Sequence, residues 1–193
     1  MESIRCAIIG GSLDGKTFLA AGFSRGLYKN DGIASLVFDP YRGETDWGTQ
    51  ALVFGPDDFE KWRRAVTNVR PEQKFAAIWD EGTHTGGDDK KNTKLVTAIR
   101  HNCPAFIYIG HGYSTLRPIM RGSLTHVCLA ARDPEDAKEW ARVMVDADVM
   151  RAAEPAPPRG NGLRQYEFLK KRKHRPVEIL RYSKAEILAG IQL

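Results

Sequence analysis

Five short apolar runs recur along the first 130 residues, and turn-forming or charged residues separate them. The runs are Ile4–Ile9, Ile33–Phe38, Lys74–Trp79, Ala105–Ile109 and Thr125–Ala130. Each is nearly all apolar instead of alternating with polar residues, which is typical of parallel strands whose two faces are both covered. The pattern therefore predicts a mostly parallel sheet packed between helices.

Segments with helical spacing lie between these runs. Asp57–Val69 repeats its apolar positions every three to four residues, and Asp133 precedes a segment reaching about Val145 with Pro134 at the first helical position. Further helices are predicted directly after residue 17 and near Lys91–His101. Strands that alternate with helices indicate an α/β fold.

Composition changes near residue 150. We predict an α/β core, a Pro/Gly linker and a basic C-terminal appendage, at residues 1–150, 151–162 and 163–193. The appendage is predicted to form two strands, Leu163–Leu169 and Val177–Tyr182, around a basic turn, followed by a short helix. It is too short for a core of its own, so we expect it to pack on the main domain or on a neighbouring subunit.

Positive charge is concentrated in the appendage. Nine Lys/Arg and two acids lie between Arg159 and Lys184, whereas the whole chain carries a net charge of +5. This asymmetry suggests a polyanionic partner. The predicted contacts with a nucleic-acid backbone are Lys170, Lys171, Arg172, Lys173 and Arg175. The alternative is a solvated hairpin turn.

The cysteines indicate a protein of the reducing cytoplasm. Cys6, Cys103 and Cys128 are odd in number and lie in or beside apolar runs, which favours reduced core residues over disulfides. Their spacing to histidines does not fit a zinc site. We expect no signal peptide, because the N-terminus lacks a basic segment followed by an apolar one with a cleavage site. We expect no transmembrane segment, because no apolar run approaches about 20 residues.

The octapeptide GGSLDGKT follows the first strand, opens the first helix and fits the pattern G-x-x-x-x-G-K-[ST]. Glycines let backbone N–H groups approach phosphates, the lysine supplies a point charge, and the threonine offers a hydroxyl to Mg²⁺. The alternative is an ordinary glycine turn. We predict that ATP binds here, through Gly10, Gly11, Ser12, Leu13, Asp14, Gly15, Lys16 and Thr17.

A second motif places two acids at the end of an apolar strand. Phe75–Trp79 is followed by Asp80 and Glu81, at the edge of a parallel sheet where ligands collect. We predict that Asp80 and Thr17 hold Mg²⁺, and that Glu81 polarises the attacking water. The alternative is a strand running into an acidic surface turn.

Together, these segments resemble the FtsK/HerA superfamily, and most closely the small genome-packaging ATPases of internal-membrane viruses and phages. The resemblance covers roughly residues 4–146. Besides the two nucleotide motifs, it rests on VFDPYRGE and on the segment Ser114–Lys138. Individual positions that match the family pattern are Asp39, Pro40, Gly43, Glu44, Arg117, Pro118, Arg121 and Asp136.

The resemblance implies a P-loop NTPase of RecA/FtsK-like fold that hydrolyses ATP and translocates double-stranded DNA. It also implies a homo-oligomeric ring, pentamer or hexamer, that meets capsid or portal-vertex proteins in the host cytoplasm or the virion. His111 would then sense the γ-phosphate. Arg117 or Arg121 would reach the γ-phosphate of the neighbouring subunit.

Two departures and two rival functions accompany this interpretation. The family usually has Gly where this chain has Leu13, and the acidic Asp14 lies close to the phosphates, where it would weaken nucleotide affinity unless it points outward.

One rival function is that of a thymidine-type nucleoside kinase, although this chain lacks the cysteines of the zinc lasso that such kinases usually carry. The other is an assembly factor that binds ATP as a switch.

Overall fold

The computed structural model describes residues 3–69, 73–82, 92, 95 and 103–193. Within these residues, eight strands form one sheet in the order β3-β2-β4-β5-β1-β6-β7-β8. The strands are β1 (Ile4–Ile9), β2 (Ala34–Phe38), β3 (Ala51–Phe54), β4 (Phe75–Trp79), β5 (Ala105–Gly110), β6 (His126–Leu129), β7 (Phe168–Arg172) and β8 (Glu178–Leu180). The helices are α1 (Lys16–Asp31), α2 (Phe59–Thr67), α3 (Pro118–Ser123), α4 (Pro134–Met144) and α5 (Lys184–Ala189).

Strands β1 to β6 are parallel, whereas β7 pairs antiparallel with β6, and β8 antiparallel with β7. In the register, Ile9 lies opposite both Gly110 and Leu129, so β1, β5 and β6 end at the same edge. We call this the carboxyl edge and its opposite the amino edge. The predicted α/β fold with a mostly parallel sheet is confirmed.

Helices cover both faces of the sheet. One core cluster joins the sheet to α1 and α5 and includes Ile8, Phe23 and Ile187. The other joins it to α2, α3 and α4, with Trp62 and Trp140 fully buried. The apolar runs are buried on both sides, which explains why their sequences do not alternate.

The C-terminal segment differs in detail from its prediction. Residues 168–180 continue the sheet of the core, and β7 begins five residues later than expected and extends through Arg172. Lys170, Lys171 and Arg172 therefore lie on a strand, and the prediction that they belong to the turn is wrong. A lysine run can lie on a strand here because Lys171 forms an ion pair with Asp146, which follows α4.

Two smaller differences concern the core. Strand β3 was not predicted, because its four residues lie at the sheet edge and are only partly buried. The predicted helix at Asp57–Val69 is a 3₁₀ turn at Pro56–Asp58 followed by α2. Apart from Gly82, Asn92 and Leu95, the predicted loop Gly82–Asp89 and the helix near Lys91–His101 lie outside the described residues.

The three cysteines are buried and free. Among the helices of the described ranges, none combines the length and the apolar character needed to cross a membrane.

Candidate active site

The glycine-rich octapeptide forms the turn between β1 and α1 at the carboxyl edge. Gly15 has a φ of 84° and precedes the first helical residue, Lys16. This left-handed conformation suits glycine and turns the chain sharply into the helix. The first N–H groups of a helix have no partner within the helix, so the turn presents donors to an anion.

The Lys16 side chain lies inside this turn. Its Nζ donates to the Gly11 carbonyl oxygen at 2.6 Å, and the residue is 6% exposed. Burial lowers the pKa of Lys16, the carboxylates of Glu81, Asp14 and Asp80 act in the opposite direction, and the Arg132 charge lowers it further. A buried cation facing acids fits a site for phosphates that bring negative charge of their own.

Asp14 points back into the turn. Its Oδ2 accepts a hydrogen bond from the Gly11 N–H at 2.5 Å. The sequence left open whether this acid points outward, and the structure places its carboxylate against the backbone of the glycine-rich turn. A bound phosphate would compete with Asp14 for this donor.

Asp80 follows β4 and lies next to the octapeptide. Thr17 Oγ1 donates to Asp80 Oδ2 at 2.8 Å, and the Glu81 N–H donates to Asp80 Oδ1 at 2.8 Å. Burial raises the pKa of Asp80 to about 7, the two hydrogen bonds oppose the rise, and the charges of Asp39 and Glu81 add to it. A divalent cation would offset this desolvation by favouring the charged carboxylate. The hydroxyl and carboxylate oxygens are ligands that suit Mg²⁺, so the residues fit the predicted ion.

Asp39 lies at the end of β2 and is also buried. Its two carboxylate oxygens accept hydrogen bonds from the Tyr41 N–H and from Trp47 Nε1, each at 2.8 Å. These bonds fix the loop after β2 beside the candidate metal ligand. Asp39, one of the positions that match the family pattern, therefore helps to form the wall of the candidate site.

Glu81 and His111 follow neighbouring strands, β4 and β5, and meet at the carboxyl edge. The distance between His111 Nε2 and Glu81 Oε2 is 3.1 Å. Glu81 has a φ of 50°, a conformation that costs energy in a residue other than glycine and that clusters at functional sites. The structure thus brings together the two residues that the sequence assigned to water activation and phosphate sensing.

The two candidate trans-acting arginines lie around α3. The Arg121 guanidinium carbon is 3.6 Å from the centre of the Tyr113 ring, and Arg121 Nη1 donates to the Tyr113 carbonyl oxygen at 2.8 Å. Arg121 is thus engaged within its own chain. Arg117 is half-buried and immediately precedes α3.

Sequence reasoning missed Arg132, which follows β6 at the carboxyl edge. Its Nε donates to Asp136 Oδ2 at 2.9 Å, and Asp136 Oδ1 accepts from the Tyr113 N–H at 2.6 Å. The Arg132 charge lowers the pKa of Lys16, so this cation belongs to the surroundings of the candidate phosphate site. The sequence signal that could have identified Arg132 is its position shortly after an apolar strand, where ligand-binding residues collect in parallel sheets.

Comparison with solved structures identifies the fold. The genome-packaging NTPase B204 from Sulfolobus turreted icosahedral virus 2, in complex with ATP-gammaS, has a TM-score of 0.72 at 18% identity, and the match covers 93% of this chain and 97% of that chain. B204 from Sulfolobus turreted icosahedral virus, a DNA-packaging ATPase, has a TM-score of 0.68 at 18% identity, with 94% and 98% covered. This chain has a P-loop NTPase fold.

A more distant match supports the same fold. EssC (ATPases 2 and 3) from Geobacillus thermodenitrificans has a TM-score of 0.58 at 13% identity, and the match covers 95% of this chain but 41% of that chain. No protein-family model and no curated protein matches the sequence. The P-loop NTPase fold that the resemblance implied is thus confirmed by structure, and we refer to the GGSLDGKT turn between β1 and α1 as the P-loop.

The basic residues of the appendage lie away from the P-loop. Within β7, Leu169 lies opposite Leu129 and Arg172 lies opposite His126, so the turn that follows β7 lies at the amino edge. Lys173 and Arg175 occupy this turn, where the Lys173 N–H donates to the Thr125 carbonyl oxygen at 3.0 Å.

These residues are not equally accessible. Lys171 is 4% exposed, and its Nζ contacts the Asp146 carboxylate and the Arg175 carbonyl oxygen. The prediction that Lys171 contacts nucleic acid therefore needs correction, because its charge is already neutralised inside the protein. Lys170 Nζ lies 3.6 Å from Glu178 Oε2 and so forms an ion pair with it. Arg175, in contrast, is exposed.

Proposed function

We propose that this chain is an ATP-hydrolysing subunit of a DNA translocase that packages a viral genome. One observation carries the proposal: Lys16, Thr17, Asp80, Glu81 and His111 converge at the carboxyl edge of a P-loop fold. The likeness to viral packaging ATPases supports the choice of function within this fold.

The residues divide the chemistry among them. The P-loop N–H groups and Lys16 would hold the β- and γ-phosphates, and Thr17 with Asp80 would hold Mg²⁺, which neutralises phosphate charge when bound. Glu81 would accept a proton from the water that attacks the γ-phosphorus, while the bond from that phosphorus to the leaving ADP oxygen breaks. His111, at 3.1 Å from Glu81, would exchange this contact for the γ-phosphate and thereby sense it.

A ring would complete the site. We propose a homo-oligomer, pentamer or hexamer, in which Arg117 or Arg121 of one subunit stabilises charge at the γ-phosphate of the next. Arg121 would have to leave Tyr113 to do so, because both its guanidinium contacts are within its own chain.

Double-stranded DNA is the proposed polyanionic partner. The proposed contacts with DNA phosphates lie at the end of β7 and in the turn that follows it, at the amino edge. They are Lys170, Arg172, Lys173 and Arg175. Capsid or portal-vertex proteins are the proposed docking partners, in the host cytoplasm or the virion.

The decisive experiment is ATP hydrolysis measured with and without duplex DNA, and in parallel with thymidine as a competing phosphate acceptor. We expect DNA to stimulate phosphate release, and Lys16→Ala to abolish it. Transfer of phosphate to thymidine would instead establish the kinase alternative. Binding of ATP without turnover would establish the ATP-switch alternative.

Mixing variants tests the ring. Arg117→Ala or Arg121→Ala subunits combined with Lys16→Ala subunits should regain part of the activity, because each partner supplies what the other lacks. Activity that neither depends on protein concentration nor recovers on mixing would exclude an arginine acting between subunits.

A further inference from the structure

An arginine with a largely buried side chain lies beside the P-loop. Arg132 follows β6, which pairs with β1, the strand that leads into the P-loop. Its side chain is 13% exposed and forms an ion pair with Asp136 on α4. We propose that Arg132 binds the γ-phosphate of the nucleotide held by its own subunit, and that Asp136 is the positioning residue that orients it. The inference rests on the proposed function, because it requires a triphosphate in the P-loop.

Arg132 lies between the P-loop and the segment that follows β5. A Cβ on Gly10 would lie 2.9 Å from Ala130 Cβ, so the chain after β6 packs against the start of the P-loop. On the other side, Arg132 Nη2 is 3.8 Å from the position that a Cβ on Gly112 would take. Gly112 directly follows His111, the proposed γ-phosphate sensor. The guanidinium therefore lies at the end of the site where we place the γ-phosphate.

The guanidinium is held at one end only. Nε donates to Asp136 Oδ2 at 2.9 Å, whereas Nη1 and Nη2 donate no hydrogen bond to any residue that the structure describes. The guanidinium is rigid and planar, so an arginine fixed at Nε can present both Nη groups to one phosphate. Burial and the Arg132 charge both lower the pKa of Lys16. The two cations repel each other, and a triphosphate would relieve this repulsion with its own negative charge.

Asp136 is itself fixed on two sides. Its other oxygen, Oδ1, accepts a hydrogen bond from the Tyr113 N–H at 2.6 Å, and the Asp136 N–H donates to Oδ1 of Asp133, the N-cap of α4, at 3.0 Å. One carboxylate thus joins Arg132 to the backbone two residues after His111. A cation preorganised in this way stabilises developing charge without having to reorient during the reaction.

A second ion pair on α4 provides a comparison. Arg142 Nη1 lies 2.5 Å from Glu139 Oε1, and the Arg142 side chain is 64% exposed. Such exposed pairs contribute little to stability. Arg132 instead pairs through Nε in a position largely shielded from water, which leaves both Nη groups for a further partner. Arg142 is therefore a suitable control residue.

Calorimetric titration of the full chain with ADP and with the non-hydrolysable analogue AMP-PNP, both with Mg²⁺, tests the proposal, because only AMP-PNP carries a γ-phosphate. Arg132→Met should weaken AMP-PNP binding about 10- to 100-fold, the usual contribution of hydrogen bonds to a charged group, and should leave ADP binding unchanged. Arg132→Lys should weaken AMP-PNP binding almost as much, because one ammonium cannot reproduce the planar contacts to Asp136 and to a phosphate. Arg142→Met is the matched control and should change neither affinity.

Asp136→Asn tests the positioning role. The amide retains the shape of the carboxylate but not its charge, so AMP-PNP binding should weaken about 3- to 10-fold while ADP binding persists. In the Arg132→Met background the same substitution should have no further effect, because it acts through the arginine. Equal losses for both nucleotides that persist in the double variant would show that Asp136 has a structural role instead.

Three further results would overturn the proposal. If Arg132→Met binds AMP-PNP as tightly as the unmodified protein, or weakens both nucleotides equally, Arg132 does not bind the γ-phosphate. If Arg132→Lys retains the unmodified affinity, only the charge matters and the anchored geometry is wrong. Failure of the unmodified protein to bind either nucleotide would overturn the phosphate site and the proposed function with it.

Discussion

The two ends of the β7–β8 hairpin have opposite chemistry. The end that includes Tyr166 and Tyr182, here called the open end, lies at the carboxyl edge and lines an apolar cavity beside the P-loop. The turn end, residues 172–177, lies at the amino edge and carries Arg172, Lys173 and Arg175. One is aromatic and faces a cavity, and the other is basic and faces outward.

This difference places two surfaces of opposite chemistry on one short appendage. The hairpin runs from one edge of the sheet to the other, so the cavity beside the P-loop and the basic turn lie on the same two strands. Lys171 lies between them and joins β7 to the segment after α4 through Asp146. The hairpin therefore joins the edge that holds the candidate active site to the edge that we propose contacts DNA.

The largest expected effect is on the rate of the chemical step at the carboxyl edge, which we expect to change without any change at the turn end. Glu81→Gln should slow the chemical step about 10²- to 10⁴-fold, because the amide cannot accept the proton from water. Nucleotide affinity and DNA affinity should both persist. Single-turnover phosphate release checks this, and intact turnover with lost nucleotide binding would make Glu81 a structural residue.

The next effect tests the connection between the two ends. Asp146→Asn should lower the free energy of unfolding by about 2 kcal/mol, because Lys171 is left buried without a charged partner. The pKa of Asp146 is held below its usual value, mainly by the Lys171 hydrogen bond. The carboxylate therefore stabilises the fold above about pH 4 and loses this effect as the pH falls through its lowered pKa.

Urea unfolding at pH 7 and at pH 3 measures this difference, which should be smaller at pH 3. The control is Lys171→Met, since adding Asp146→Asn in that background should cost little. A full loss of 2 kcal/mol in the double variant would show that the ion pair is not the cause.

A smaller effect concerns the turn end alone. Replacing Arg172, Lys173 and Arg175 with Ala should flatten the log–log salt dependence of duplex DNA binding by about 2.7 units, if each contacts one phosphate. AMP-PNP affinity should not change, because the turn lies at the edge opposite the P-loop. Removing the same charge from α2, with Lys61, Arg63 and Arg64 changed to Ala, is the matched control. An equal flattening there would show that only net charge matters.

The smallest effect concerns the P-loop. Leu13 has a φ of 65° and is 87% exposed, which explains why the resembling family usually has Gly at this position. Leu13→Gly should raise the free energy of unfolding by about 0.5–1 kcal/mol, because relief of left-handed strain exceeds the added flexibility of the unfolded chain. Leu52→Gly, at an exposed position of β3, should instead destabilise the protein in the same urea titration.

The sequence predicted those features that depend on neighbouring residues. The apolar runs and the GGSLDGKT pattern were enough to predict where the five core strands, the glycine-rich turn and the acids after β4 lie. This succeeded because strand, turn and helix follow each other directly in the sequence. Strand β3 escaped prediction because edge strands are short and half-exposed, so their pattern is weak.

Features that depend on distant residues could not be predicted. The cavity beside the P-loop joins Gly15 to Tyr166 and Tyr182, which are far apart in the chain. The burial of Lys171 depends on Asp146, which no local pattern pairs with it. A run of lysines normally lies in solvent, so composition alone misassigned this residue.

The buried lysine on β7 has a consequence for how the chain selects its final strand pairing. Successive strand residues face opposite sides of the sheet, so a slip of β7 by one position would turn Lys171 away from Asp146 and toward the face that holds Cys128. Leaving this charge buried without its carboxylate is costly. Misaligned pairings of β7 with β6 are thereby penalised, and the ion pair specifies one alignment for a strand whose flanking residues are too polar to enforce it.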